Sequence, residues 1–299
     1  MRSEPSAVGP WAPPPSGWRS EFARLSPAYD QFCPEVLGAL ARHQVFPPVA
    51  AWAAELPRAQ PAVSMRFVEQ DEKAIKQAGG YDFFIRAERA VPSRPESWHD
   101  LFNALVWLHY PQLKLGIHQL QLEDFSRREQ PGKRTALGDV ATQLDECGVL
   151  VLSSDPSLHD DLRELRWRQL FFERRAELLQ NMRFLVVGHA LLHALIEPYI
   201  GLMGRALLID APQASLATAL SARCFVDEWA PSELPRRVQR TRDLYPLPLL
   251  GIPDYVANDS AAFYDGLPEY FRARRAAPME RGERGAVSER GIETEQQGD

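Results

Sequence analysis

The sequence predicts a mostly helical α+β domain built around a small sheet, and three observations carry that expectation. Residues 98–109, Trp-His-Asp-Leu-Phe-Asn-Ala-Leu-Val-Trp-Leu-His, repeat apolar groups at helical spacing. Asp155-Pro156 has the form of a helix start, an N-cap followed by proline at the first position, and opens an amphipathic stretch to about residue 182. Between them, Val149-Leu150-Val151-Leu152 has the length and composition of a buried strand.

Taken in order, residues 1–18 carry Pro10, Pro13, Pro14 and Pro15 and are expected to be a disordered tail, with Trp11 and Trp18 able to dock on the body. Residues 35–41 and 49–55 read as short helices set off by prolines, and 65–69 as a strand. Residues 81–87 fit a strand through Tyr81, Phe83 and Ile85, or a helix through Tyr81, Phe84 and Ile85, about equally well. Ser97 caps the helix that begins at Trp98, and Asp100 in its first turn complements the helix dipole. Pro111 ends that helix, a further turn or two carries Lys114 and His118, and 126–138 is a basic loop. The strand at 148–153 is expected to pair with one at 205–209. The apolar run 184–197 reads as a buried central helix, and 215–225 as another helix. Residues 231–265 are proline-rich and wrap the body through Leu249, Ile252 and Tyr255. From 274 onward Arg, Glu and Gly dominate, which predicts a second disordered tail. No linker or composition break appears between the tails, so 19–273 is read as one globular domain.

Bulk properties exclude several functions. The chain has 299 residues, 45% of them hydrophobic, and a net charge of -6, which gives no general attraction to nucleic acid or anionic membrane. The three cysteines, Cys33, Cys147 and Cys224, have no CxxC spacing, which argues for a reducing compartment and against a disulfide framework or zinc knuckle. The N-terminus lacks the apolar core of a leader peptide, and no apolar run reaches membrane-spanning length. The chain is therefore read as cytoplasmic. Gly132-Lys133 lies in a basic loop, but Arg127 and Arg134 stand where a phosphate-binding loop needs Gly and Ser or Thr. No GxSxG or strand-following GxGxxG occurs.

Three constellations remain. On the 98–109 helix, Trp98, Leu101, Phe102, Leu105 and Leu108 form an apolar stripe, while His99, Asp100, Asn103 and Trp107 face the other way. A face of that kind is a candidate cleft wall, with His99 as acid or base and Asn103 as an orienting donor. The alternative is Asp100 serving its own helix start and Asn103 tying down a loop. In the run 184–197, His189, His193 and Glu197 are spaced i, i+4, i+8, within about 80° of one another on the helical wheel, and are candidate ligands for a divalent metal. Against this stands a pair of core histidines bonded to backbone carbonyls. Gly188 beside them is read as allowing close approach of another backbone. Third, Asp139, Thr142, Asp145 and Glu146 precede the strand. Asp145 is a candidate site acid, whereas Glu146 is read as part of a turn. Lys114 and Arg134 are candidates for holding a small anionic substrate, although a solvated face also suits Lys114 and His118.

The string Trp98-His99-Asp100-Leu101-Phe102-Asn103-Ala104-Leu105-Val106-Trp107, with Lys114, Asp139 onward to Val151, Gly188-His189-Ala190-Leu191, Phe263-Tyr264-Asp265 and Tyr270-Phe271-Arg272, resembles a bacterial family called domain of unknown function 3025. The resemblance spans about 67–271. The chain departs from the family pattern at His193, where an acidic residue is usual, at Leu144, where Phe is usual, and at Cys147, where Asn is usual. The resemblance implies no activity. Two functions fit the residues: a metal-assisted hydrolytic enzyme with a His/Asp/Asn/Glu cleft, and a non-catalytic binding or assembly protein whose polar cluster is a hydrogen-bond network.

Overall fold

A computed structural model describes residues 17–59, 65–130 and 132–273. The tails expected at 1–18 and 274–299 therefore lie almost wholly outside the described residues, Trp11 among them. Trp18 does dock. Its ring stacks on Trp98 at 4.7 Å between centroids, and its Nε1 donates to the His43 carbonyl at 2.8 Å.

The helices α1 (Pro34–Ala41) and α2 (Val49–Ala59) precede β1 (Arg66–Glu69), α3 (Glu72–Gln77), α4 (Tyr81–Glu88) and β2 (Ala90–Ser93). Then come α5 (Trp98–His109), α6 (Pro111–Arg127), α7 (Ala136–Cys147), β3 (Gly148–Ser153) and α8 (Pro156–Arg163). The rest is α9 (Arg175–Asn181), β4 (Met182–Val186), α10 (His189–Ala194), β5 (Met203–Asp210), α11 (Ala219–Arg237), β6 (Tyr245–Pro248) and α12 (Ala261–Asp265). The chain is mostly helical with two small sheets. One pairs β1 and β2 in parallel, and the other has the order β4-β3-β5-β6.

The start signals operate as the residues require. Ser97 accepts from the Asp100 N–H at 3.2 Å and starts α5, and Asp155 accepts from the Ser157 N–H at 2.9 Å and starts α8. Strand β3 is wholly buried because it is flanked on both sides, by β4 antiparallel and by β5 parallel, the latter with Val149 opposite Ala206. One apolar cluster runs from Phe22 through α5 and the sheet to Phe271. None of the described helices is long and apolar enough to cross a membrane.

One open alternative is resolved and four expectations are corrected. Residues 81–87 are helical, with Ile85 as the buried residue of α4. The turn after Pro111 is the 17-residue helix α6, because Pro111 occupies its first position, where a missing N–H costs nothing. The amphipathic stretch opened by Asp155 is broken at Leu165, whose φ of 57° is left-handed, so α8 and α9 are separate. Finally, 184–197 is not one helix. Its first three residues end β4, which pairs with β3, and only His189–Ala194 is helical, as α10. Helix α11 also continues beyond 225 to Arg237, with Pro231 and Pro235 inside it and Ala230 and Leu234 anchoring it in the core.

Candidate functional site

The second face of α5 points into a cavity of about 370 Å³ instead of solvent. Asp100, Asn103 and Trp107 are buried on that wall, and His99 is half-buried at its edge. Opposite stand Lys114 and His118 from α6, Thr142, Asp145 and Glu146 from the last turns of α7, and His189 at the start of α10. Arg134 from the loop before α7 and Arg94 after β2 complete the wall as exposed cations. The structure thus brings His99, Asp100, Asn103, Lys114, Arg134, Asp145 and His189 to one cavity.

Gly188 explains how α10 reaches the site. A Cβ there would lie 2.6 Å from the Glu146 carbonyl oxygen and would overlap the Gly148 N–H, so only glycine admits this approach. The N–H groups of Val187 and Gly188 both donate to the Gly148 carbonyl, at 3.0 and 2.8 Å. His189 is thereby held against the C-terminal turn of α7.

Three potential ligand atoms, from His99, Glu146 and His189, fall within 4.8 Å of one another. His189 Nε2 is 3.5 Å from Glu146 Oε2, and His99 Nε2 is 4.0 Å from the same oxygen. The two imidazoles meet edge to face, with centroids 4.3 Å apart. Burial pushes His189 down to about 3 and also lowers His99, so both rings are neutral and offer lone pairs at neutral pH. Burial, reinforced by the Asp145 charge, raises Glu146 to about 7.

The other acids are already paired. Lys114 donates to Asp145 Oδ1. Burial pushes Asp145 up, but the charge and hydrogen bond of Lys114 lead the opposing effects, and the carboxyl stays below its ordinary value. Asp100 accepts from the Arg94 backbone N–H, Nε and Nη2 at 2.6, 2.9 and 2.8 Å, a charge-assisted clamp of the strong kind. Here too burial raises the carboxyl and Arg94 brings it below the ordinary value. Asn103 donates to the Tyr81 hydroxyl at 3.3 Å, while its Oδ1 is buried without a partner. His118 Nδ1 lies 3.4 Å from Asp82 Oδ1, and its Nε2 is likewise buried and unpartnered.

His193 and Glu197 do not join His189. Helix α10 ends at Ala194, so the i, i+4, i+8 face that would align all three does not exist. His193 lines a neighbouring cavity beside Arg94, Ser97 and His99, and Glu197 is exposed and paired with Arg19. The acid beside His189 is Glu146, which belongs to α7 and is not a turn residue. The i, i+3, i+4 spacing of Thr142, Asp145 and Glu146 was the signal for a shared helical face. Arg94 and Tyr81 had no such signal, since tertiary packing alone brings them here. Of the basic loop, Arg127 and Arg128 pair back to Glu123 and Asp124 on α6, leaving Arg134 at the cavity.

A helical α+β body with a charged cavity at the meeting of five helices is the class that fold and site define. A family model described as Protein of unknown function (DUF3025) matches residues 65–275, and the chain belongs to that family. No curated protein matches the chain, and no solved structure does.

Proposed function

We propose that the protein is a metal-assisted hydrolase acting on a small anionic substrate. The observation that carries this reading is the convergence of His99, Glu146 and His189 donor atoms within 4.8 Å on the wall of a cavity large enough for a small molecule. Two neutral imidazoles and one carboxylate are a ligand set suited to zinc or a similar ion with a position left open for water or substrate. Such an ion, held by His99, Glu146 and His189, would supply an acidified water and polarise a carbonyl or phosphoryl oxygen. Asp145, fixed by Lys114, lies 3.9 Å from His189 Nδ1, a nitrogen that is buried without a hydrogen-bond partner, so the position of this ring is set by Gly188 and the backbone of α7. Arg134 draws an anion toward the cavity, and Asn103 Oδ1 offers a free acceptor to an N–H or O–H elsewhere on the substrate.

The saturated pairs Lys114–Asp145 and Arg94–Asp100 favour a second reading, in which the cavity binds a ligand without transforming it. Assay of zinc- or manganese-loaded protein against activated carboxylic and phosphoric esters separates the two. Turnover that disappears in Glu146→Gln and His99→Ala supports the hydrolase. Stoichiometric metal binding without turnover of any ester supports the binding protein.

A further inference from the structure

A second cavity, of about 300 Å³, opens where the corner between α5 and α6 meets α11. Arg223 forms part of its wall while only 8% exposed. Its Nε and Nη1 are shielded from solvent with no hydrogen-bond partner, and it makes no ion pair among the described residues. A buried guanidinium ordinarily holds an anion.

The acid placed to pair with it is Asp227, one helical turn further along α11. That carboxylate is committed elsewhere. Tyr110 gives α6 no side-chain cap, and Asp227 Oδ1 serves instead, accepting from the N–H groups of Gln112 and Leu113 at 3.1 and 3.3 Å. Glu228 stands exposed at the rim. The cavity therefore presents an unspent cation and, further along the same helix, two carboxylates. A phosphate or simple carboxylate would satisfy Arg223 but meet both acids with like charge. A zwitterion offers the opposite sign to each.

We propose that this cavity binds a small amino carboxylate of the free α-amino-acid class, its carboxylate on Arg223 and its ammonium facing Asp227 and Glu228. This site is separate from the His99–Glu146–His189 cluster and stands or falls without it.

Cys224, exposed at the cavity, reports occupancy. The full chain carrying Cys33→Ser and Cys147→Ser is treated with an aromatic disulfide reagent in the presence of each proteinogenic amino acid, and calorimetric titration measures binding directly. Saturation by the fitting amino acid slows Cys224 modification about tenfold, and Arg223→Met abolishes both the protection and the heat of binding. Glu228→Gln, an exposed change that spares the core, weakens the protection. Acetate, methylamine or inorganic phosphate alone protect far less. Absence of protection by every amino acid, equal protection by phosphate, or protection unchanged in Glu228→Gln and Arg223→Met overturns the assignment.

Discussion

Glu146 Oε2 receives two imidazoles, His189 Nε2 at 3.5 Å and His99 Nε2 at 4.0 Å, and among these His189 is the one whose position depends on backbone contact. It is delivered by Gly188, which lies against the backbone of Glu146, Cys147 and Gly148. The cluster is thus as precise as that single close approach.

Gly188→Ala tests this dependence. The added Cβ meets backbone, which cannot rotate away, so the junction between β4 and α10 must shift. A loss of about 2–3 kcal/mol in unfolding free energy is expected, the range of overpacking in a tight interior, together with loss of metal binding. Urea denaturation checks the first and metal titration the second. A fully stable variant that binds metal normally refutes the role given to Gly188.

Lys114 is buried and spends its charge on Asp145. Lys114→Met strands that carboxylate and should cost about 3–5 kcal/mol, the usual result of breaking a buried pair. Adding Asp145→Asn removes the stranded charge and should restore part of the loss. The double-mutant cycle measures the coupling. Additive losses contradict the pairing.

His109 governs part of the acid sensitivity. Its Nδ1 donates to the Leu105 carbonyl at 2.8 Å, and its Nε2 accepts the Cys33 N–H at 2.9 Å, so the neutral ring satisfies both neighbours. Burial lowers it from 6.5 to about 4. The unfolded chain therefore takes up this proton first as pH falls. The contribution is complete above about pH 6.5 and is lost as pH drops through 4. At about 1.4 kcal/mol per pKa unit, the wild type should lose about 3 kcal/mol more than His109→Gln across that window. Denaturation at several pH values gives both slopes, and parallel slopes contradict the prediction.

Much of the fold was legible because its signals are local. Ser97, Asp155-Pro156 and the Val149–Leu152 run act through capping and short-range pattern, and each marks a real element. The polar face of α5 was legible for the same reason, since the helical period alone separates His99, Asp100 and Asn103 from the core stripe. What was not legible depends on partners distant in sequence. β4 reads as helix until β3 is placed beside it, and with that error Glu197 was aligned with His189 and His193 on a helix that in fact ends at Ala194. Glu146 was hidden by the resemblance of Asp-Glu-Cys-Gly to an ordinary turn, although α7 runs through it to Cys147. Arg94 comes to Asp100 through the path of the chain after β2, which no periodicity encodes.

The most direct measurement is the metal stoichiometry of untagged protein purified without chelator and titrated with zinc. One tightly bound ion per chain is expected in the wild type and in His193→Ala, and none in Glu146→Gln or His189→Ala. A wild type that takes up no ion, or an ion retained by Glu146→Gln but lost from His193→Ala, contradicts a centre built from His99, Glu146 and His189.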